Sequence, residues 1–169
     1  MNYKYIFNNL YIPYYVKNII EPFFKNNDIL NIIDNKLNYN IECCNNYNNN
    51  IYKASNYKNK FIISEIPKEN NIYKEFIKEI SNDNNKCIGG IIILPFNFWF
   101  SDREKDIELR KIFLQKYNVI QLNVFKNYII NSSCLFELKR DNNIIIPITI
   151  NENINKSYSQ LLTYNLSKL

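Results

Sequence analysis

The side chains that this sequence offers for catalysis do not include histidine, which is absent from all 169 residues. A Ser-His-Asp triad and a Cys-His pair are therefore excluded, and no imidazole can act as a general base. The four cysteines form no C-x-x-C pair, so the sequence predicts no zinc site and no other metal site. Chemistry would have to depend on carboxylates, lysines, tyrosines, cysteines or a cofactor.

The polar residues of greatest interest directly follow strongly apolar stretches. The run Phe61-Ile62-Ile63 leads into Glu65-Ile66-Pro67-Lys68, and a longer run, Ile88 to Leu94, leads into Pro95. Unbroken apolar runs are typical of parallel strands that are buried on both faces. Lys60 to Glu65 and Ile88 to Leu94 are therefore predicted to be neighbouring strands in the centre of one sheet.

Helical patterns separate these strands. Asn71 to Ser81 places its apolar residues on one face, and Ser101 to Glu104 has the spacing of a capping box that begins a helix to about Lys116. Tyr14 to Phe24 also has an amphipathic helical pattern. The remaining predicted strands are Asp28–Ile33, Asn40–Cys44, Ile51–Ala54, Val119–Phe125, Cys134–Lys139 and Ile144–Ile150. This order indicates an α/β fold with a mostly parallel sheet and an antiparallel C-terminal hairpin.

The order of these elements resembles class I S-adenosylmethionine-dependent methyltransferases, in particular the TaqI-like DNA adenine-N6 group. In that group a strand ends in Asn/Asp/Ser-Pro-Pro-Tyr/Phe, the position of Glu65-Ile66-Pro67-Lys68 here. The next strand ends in a proline and a phenylalanine turn, similar to Leu94 to Phe98, before a helix similar to Leu109 to Tyr117. Tyr11 to Val16 is similar to the family's Tyr-Thr-Pro-x-x-Val segment, which precedes a helix. The resemblance implies a Rossmann-like methyltransferase sheet in a domain of residues 1–150, followed by a polar tail of residues 151–169.

The resemblance also implies where a cofactor would bind, with Pro13 near its methionine part. In the family the first strand ends in Glu-Pro-x-Ala-Gly-x-Gly. The stretch assigned to this motif, Asn31 to Leu37, contains no glycine, and Asp34 stands for the carboxylate. Glu42 takes the place of the acid that holds the ribose hydroxyls, and Ser55 replaces an aspartate at the adenine. Because glycines let the backbone approach the ligand, we expect no cofactor and no S-adenosylmethionine binding.

The catalytic tetrapeptide of the family is also poorly matched. There the asparagine and a proline carbonyl accept hydrogen bonds from the target amine, and the aromatic ring stacks on the flipped base. Of this motif the chain keeps Pro67, with Ile66 in place of the other proline. Glu65 can accept a hydrogen bond, but Lys68 cannot stack as a ring does, and its charge opposes a sulfonium cofactor. The resemblance therefore implies an inactive site.

The charge of the chain suggests the kind of partner. The net charge is +5 with a pI near 8.9, and the lysines are dispersed, which favours a protein partner or self-association over nucleic acid. Aromatic residues and arginine are enriched in protein interfaces. The residues predicted to form such a surface are Phe96, Phe98, Trp99, Phe100 and Arg103. The alternative for Trp99 and Phe100 is that they cap the core.

Three functions remain open at the level of the sequence. The first is a degenerate adenine-N6 methyltransferase-like subunit that binds a protein or nucleic acid, and the second is an active, divergent methyltransferase. The third is a structural α/β protein of an AT-rich virus, plasmid or organelle, since Asn, Lys, Ile and Tyr are over-used. With no apolar run long enough for a membrane span and no visible signal peptide, we expect a reducing compartment such as the cytoplasm, and no secretion.

Overall fold

The computed structural model describes residues 12–23, 39–43, 57–67, 71–85, 87–125, 131–139 and 149–152. The strands are β1 (Asn18–Glu21), β2 (Asn40–Cys43), β3 (Phe61–Glu65), β4 (Gly89–Pro95), β5 (Tyr117–Phe125), β6 (Asn131–Leu138) and β7 (Thr149–Glu152). The helices are α1 (Ile72–Ser81), α2 (Asn97–Phe100) and α3 (Glu104–Lys116), with a 3-10 turn at Asp83–Asn85. All seven strands form one sheet in the order β2-β1-β3-β4-β6-β5-β7.

The first four strands of this sheet are parallel. β1 lies between β2 and β3, and β3 pairs with β4 so that Ile62 is opposite Gly90. All residues of β3 and β4 except Glu65 and Pro95 are buried, on both faces of the sheet. The prediction that these two strands are central, parallel neighbours is confirmed.

The C-terminal strands complete the sheet in antiparallel fashion. β6 pairs antiparallel with both β4 and β5, and the β5–β6 ladder shifts register between Val119 and Gln121. β7 then adds a parallel strand next to β5. The predicted α/β class, with a mostly parallel sheet and an antiparallel C-terminal hairpin, is confirmed.

Two apolar cores lie on opposite faces of the sheet. Because side chains alternate along a strand, Ile62 and Ile92 join the larger core, while Ile63 and Ile91 join the smaller one. The larger core is covered by α1 and α3. These helices bury Phe76, Ile77 and Ile80 of α1 and Leu109 and Phe113 of α3. The predicted apolar face of α1 is confirmed, although Tyr73 is only half-buried. For α3 the pattern predicts Ile107, Phe113 and Leu114 on the inward side, but only Phe113 is buried, and Leu109 is buried where Ile107 and Leu114 are half-buried.

The helix predicted for Tyr14 to Phe24 is wrong. Tyr14 and Tyr15 form a turn, and Asn18 to Glu21 is the strand β1. Ile19 and Ile20 are buried on opposite faces of the sheet, which a strand between two neighbours allows and an amphipathic helix does not. Pro22 in the middle of the apolar pattern was the contrary signal, because proline breaks a helix interior.

Other expected boundaries differ in smaller ways. The predicted strand at Asn40–Cys44 is confirmed as β2, whereas the candidates at Asp28–Ile33 and Ile51–Ala54 lie outside the described residues. β7 runs to Glu152, two residues beyond the predicted end of the last strand. The helix after Ser101 is confirmed, but its capping box is wrong. The cap residue is Arg103, without a side-chain cap, and the Ser101 hydroxyl donates to Asp106 Oδ2 at 2.6 Å.

The close approach of β3, β4 and β6 predicts that Gly90→Ala is strongly destabilising. A Cβ at this position would lie 2.6 Å from the Ile62 carbonyl oxygen and 2.9 Å from Cζ of Phe136. We expect a loss of about 1–3 kcal/mol or more in the free energy of unfolding, measured by urea denaturation. The control Glu108→Ala, on the exposed side of α3, should change it by less than about 0.5 kcal/mol. Equal stability of the two variants would contradict this packing.

Candidate ligand site at the carboxyl edge of the sheet

Three glutamates lie at or near the carboxyl ends of adjacent parallel strands. Glu21 is the last residue of β1, Glu65 is the last residue of β3, and Glu42 is the penultimate residue of β2. Open α/β sheets bind their ligands in the crevice at this edge. The edge formed by β2, β1 and β3 is therefore the candidate site.

Glu21 is the most constrained of the three carboxylates. Its side chain is buried, with only 2% of the residue exposed, and its Oε1 accepts hydrogen bonds from the Ser64 hydroxyl at 2.5 Å and the Phe23 amide at 3.1 Å. Burial raises the pKa of the Glu21 carboxyl to about 8. The two hydrogen bonds lower this pKa, while the charge of Glu65 raises it further. Glu21 thus ties the turn after β1 to the end of β3.

The tetrapeptide after β3 continues the sheet. Ile66 donates its backbone N–H to the Ile93 carbonyl at 3.1 Å, and its side chain is buried in the larger core. Pro67 is also buried, whereas Glu65 is half-buried. Lys68 lies outside the described residues. The side chain of Ile66, which stands in place of the family's first proline, therefore packs in the core.

Glu42 is different, because its carboxylate is accessible. Its Oε2 lies 2.5 Å from Nζ of Lys60, with 56% of the Glu42 side chain exposed. An exposed pair of this kind is worth about 0–1 kcal/mol, so the carboxylate can exchange this partner for another donor at little cost. Asp34 and Ser55, the other residues expected to contact a cofactor, lie outside the described residues.

The aromatic residues predicted to form a partner surface are mostly internal, and that prediction is wrong for three of them. Phe96, Phe98 and Trp99 are 5%, 1% and 0% exposed. Trp99 donates from Nε1 to the Ser132 hydroxyl at 2.9 Å, which satisfies its polar group inside the core. Only Phe100, half-buried against Phe96, and the exposed Arg103 remain accessible. The core-capping alternative is confirmed for Trp99.

A polar network connects the two helices on the same side of the sheet. Lys74 of α1 lies 2.6 Å from Oδ1 of Asp106 in α3, whose Oδ2 accepts from Ser101. Burial would raise the pKa of the Asp106 carboxyl, but Lys74 and Ser101 hold it below its usual range. Arg110 donates to the carbonyls of Phe98 and Ser101, so that α2 is fixed against α3.

Solved structures with the same arrangement are found by comparison of the folds. A Listeria monocytogenes protein assigned to the class I S-adenosylmethionine-dependent methyltransferases matches 96% of this chain and 68% of its own length, with a TM-score of 0.59 and 10% identity. A modification subunit of a type I restriction enzyme from Vibrio vulnificus matches 90% of this chain, with a TM-score of 0.53 and 9% identity. This chain spans 49% of that subunit. No protein-family profile and no curated protein matches the sequence.

The fold is that of class I methyltransferases. It confirms the Rossmann-like methyltransferase sheet that the sequence resemblance implied. The TM-scores of 0.59 and 0.53 show this shared fold despite identities near 10%, whereas activity depends on the residues of the site.

The order of the strands offers a second candidate for the first-strand motif. β1 lies between β2 and β3 and ends in Glu21, which is followed by Pro22. The stretch first assigned to this motif, Asn31–Leu37, lies outside the described residues. The next positions are filled by Phe23, Phe24 and Lys25, again without glycine. The signal that could have found this motif was the dipeptide itself, directly after Ile19-Ile20.

The position of Pro13 also differs from the family pattern. The Val16 amide donates to the Pro13 carbonyl at 3.0 Å in a tight turn that leads directly into β1. The helix that should follow this segment in a methyltransferase has no room before Asn18. Pro13 enters at the amino end of β1, whereas Glu21 lies at its carboxyl end, so the structure does not support a shared cofactor site for the two.

Within the described ranges, no group of three His, Cys, Asp or Glu residues is placed to hold a metal ion. None of the helices there is both long enough and apolar enough to cross a membrane.

Because Trp99 is buried and Phe100 is only half-buried, replacing each of them with alanine should lower the free energy of unfolding by clearly different amounts. Trp99→Ala removes a buried indole and its hydrogen bond, so we expect a loss of about 3–5 kcal/mol in the free energy of unfolding. Phe100→Ala, at a half-buried position in the same helix, should cost clearly less. The measurement is urea denaturation followed by circular dichroism. A mild effect of Trp99→Ala, within about 0.5 kcal/mol, would restore its assignment to the surface.

Proposed function

We propose that this chain is a degenerate adenine-N6 methyltransferase-like protein that does not transfer methyl groups and acts as a subunit bound to a protein partner. The observation that carries this proposal is that hydrogen bonds within the chain join the carboxyl ends of β1 and β3. There the Glu21 carboxyl accepts hydrogen bonds from Ser64 and Phe23 of the chain itself.

The end of β1 supports a loss of cofactor binding. In the family a glycine-rich turn follows Glu-Pro and lets the backbone approach the ligand closely. Here the half-buried ring of Phe23 packs edge-on against Phe76, with ring centroids 5.2 Å apart. Phe24 and Lys25 replace the small residues that come next in the family motif. Bulky side chains thus follow the Glu-Pro where an active enzyme has glycine.

The end of β3 supports a loss of catalysis. The polar side chain of the family tetrapeptide is replaced by Glu65, the first proline by Ile66 and the aromatic residue by Lys68. An ionised carboxylate can still accept hydrogen bonds from a target amine, but a lysine cannot form a stacking platform for a base. The chain retains the strand but lacks the ring that would hold a flipped adenine.

The role as a subunit has support from the fold and from charge. The Vibrio vulnificus protein is a modification subunit of a type I restriction enzyme, and this chain matches 49% of its length. The +5 charge carries no dense basic block that would favour nucleic acid. We therefore propose a protein partner or a second copy of the chain, and the accessible part of the expected surface is Phe100 with Arg103.

An active, divergent methyltransferase is the second candidate, and one observation favours it. Glu21-Pro22 and Glu42 occupy the positions at which the family places its first-strand motif and its ribose-binding acid. Because Glu42 is accessible, it could accept hydrogen bonds from ribose hydroxyls. The two candidates differ in whether S-adenosylmethionine binds at all.

The absence of a glycine turn predicts no saturable heat when the chain is titrated with S-adenosylmethionine up to about millimolar concentration, the weak end of ordinary ligand affinities. Isothermal titration calorimetry measures this, with an active adenine-N6 methyltransferase as the positive control. Saturable binding that is lost in Glu42→Ala but kept in Glu79→Ala, a distant residue of α1, would instead establish the active alternative.

The subunit role predicts an assembly larger than the 20.4 kDa chain. Light scattering at several concentrations tests self-association, and purification from the native source tests for a stoichiometric protein partner. Replacing Arg103 with Ala should weaken the assembly, whereas Lys111→Ala, an exposed position later in α3, should not. A monomer without a partner, or DNA binding that falls steeply with salt, would contradict the proposal.

A further inference from the structure

We propose that Glu21 is a proton-controlled latch on the turn that follows β1, closed against β3 when the carboxyl is protonated and released when it is ionised. This inference goes beyond the proposed function, because it concerns the folded chain whether or not a ligand binds. It rests on where the two oxygens of the carboxyl lie.

The two oxygens have different surroundings. Oε1 accepts from both the Ser64 hydroxyl and the Phe23 amide, which join the end of β3 and the turn to one atom. Oε2 is buried and has no hydrogen-bond partner among the described residues. With the proton on Oε2 the group is neutral and both bonds to Oε1 persist. Without it, a negative charge is buried with one oxygen unsolvated, and the side chain must turn toward water to be hydrated.

The charged groups around Glu21 do not offset such a charge in the described part of the chain. From β3, Glu65 presents a like charge at the end of the adjacent strand. From β2, Cys43 is the residue opposite Glu21 in the parallel register. The ionic groups of neighbouring elements are engaged in other pairs, namely Glu42 with Lys60 and Lys74 with Asp106.

The pKa of Glu21 determines whether the stability of the fold rises or falls with pH, and over which pH range. Burial raises it from the ordinary 4.5 to about 8. Between these values the folded chain holds a proton that the unfolded chain has lost, so stability falls as pH rises through this range and levels off above it. The turn should open only as the folded carboxyl ionises, with a midpoint near 8, so that it is mostly closed at neutral pH.

The test is the ¹³C chemical shift of the Glu21 side-chain carboxyl in the full chain, followed from pH 4 to 9.5, the span around the ordinary and raised pKa values. The resonance is assigned by its disappearance in Glu21→Gln. The Phe23 amide shift, read in the same samples, reports whether the turn moves. We expect both signals to share a midpoint near 8, and the Phe23 shift to be independent of pH in Glu21→Gln.

Two variants keep the test decisive if Glu21→Gln does not fold. Glu65→Gln removes the like charge and should lower the midpoint, whereas Ser64→Ala removes a donor to the ionised form and should raise it. A carboxyl midpoint near 4.5 would overturn the proposal. A midpoint near 8 without any change at the Phe23 amide would also overturn it, because a buried acid would then titrate without moving the turn.

Discussion

The pairing of β3 with β4 is the contact on which the rest of the structure depends. Gly89 and Gly90, the two glycines of the chain, are at the start of β4 and let its backbone approach both β3 and β6. Any larger residue would meet the Ile62 carbonyl or the Phe136 backbone. Both glycines of the chain therefore lie where strands approach closely, and the residues that directly follow β1 in the sequence include none.

Periodicity alone predicted the elements in which a single pattern dominates. The run through β4 is apolar throughout, α1 has a clear helical face, and both were correct. Asn18 to Glu21 was misassigned, because four residues of a strand, read together with their neighbours, also fit a helical period. What decides its conformation is pairing with β2 and β3, which lie about 20 and 40 residues further on in the sequence. Such long-range pairing leaves little trace in a local window.

The candidate site could be predicted only in part, because only some of its residues follow strands with a clear periodic pattern. Glu65 lies at the end of a clear strand, with Ile66 and Pro67 directly after it, and Glu42 lies on the short predicted strand β2. The burial of Glu21 could not be predicted from residue types, because it depends on the pairing of β1 with strands far along the chain. The aromatic residues after β4 were predicted to form a surface, but three of them are buried. An apolar run that ends in rings fits a surface as well as a core until the covering helix is known, and here α3 covers it.

The single tryptophan has a further consequence. The Ser132 hydroxyl accepts from the Trp99 indole and lies 3.2 Å from the Leu94 carbonyl, so the ring is held between α2 and two strands from different parts of the chain. Its emission should therefore be shifted to short wavelength in the native state and move to long wavelength only when β4 and β6 separate. The fluorescence of Trp99 therefore reports on the junction between the parallel and antiparallel halves of the sheet.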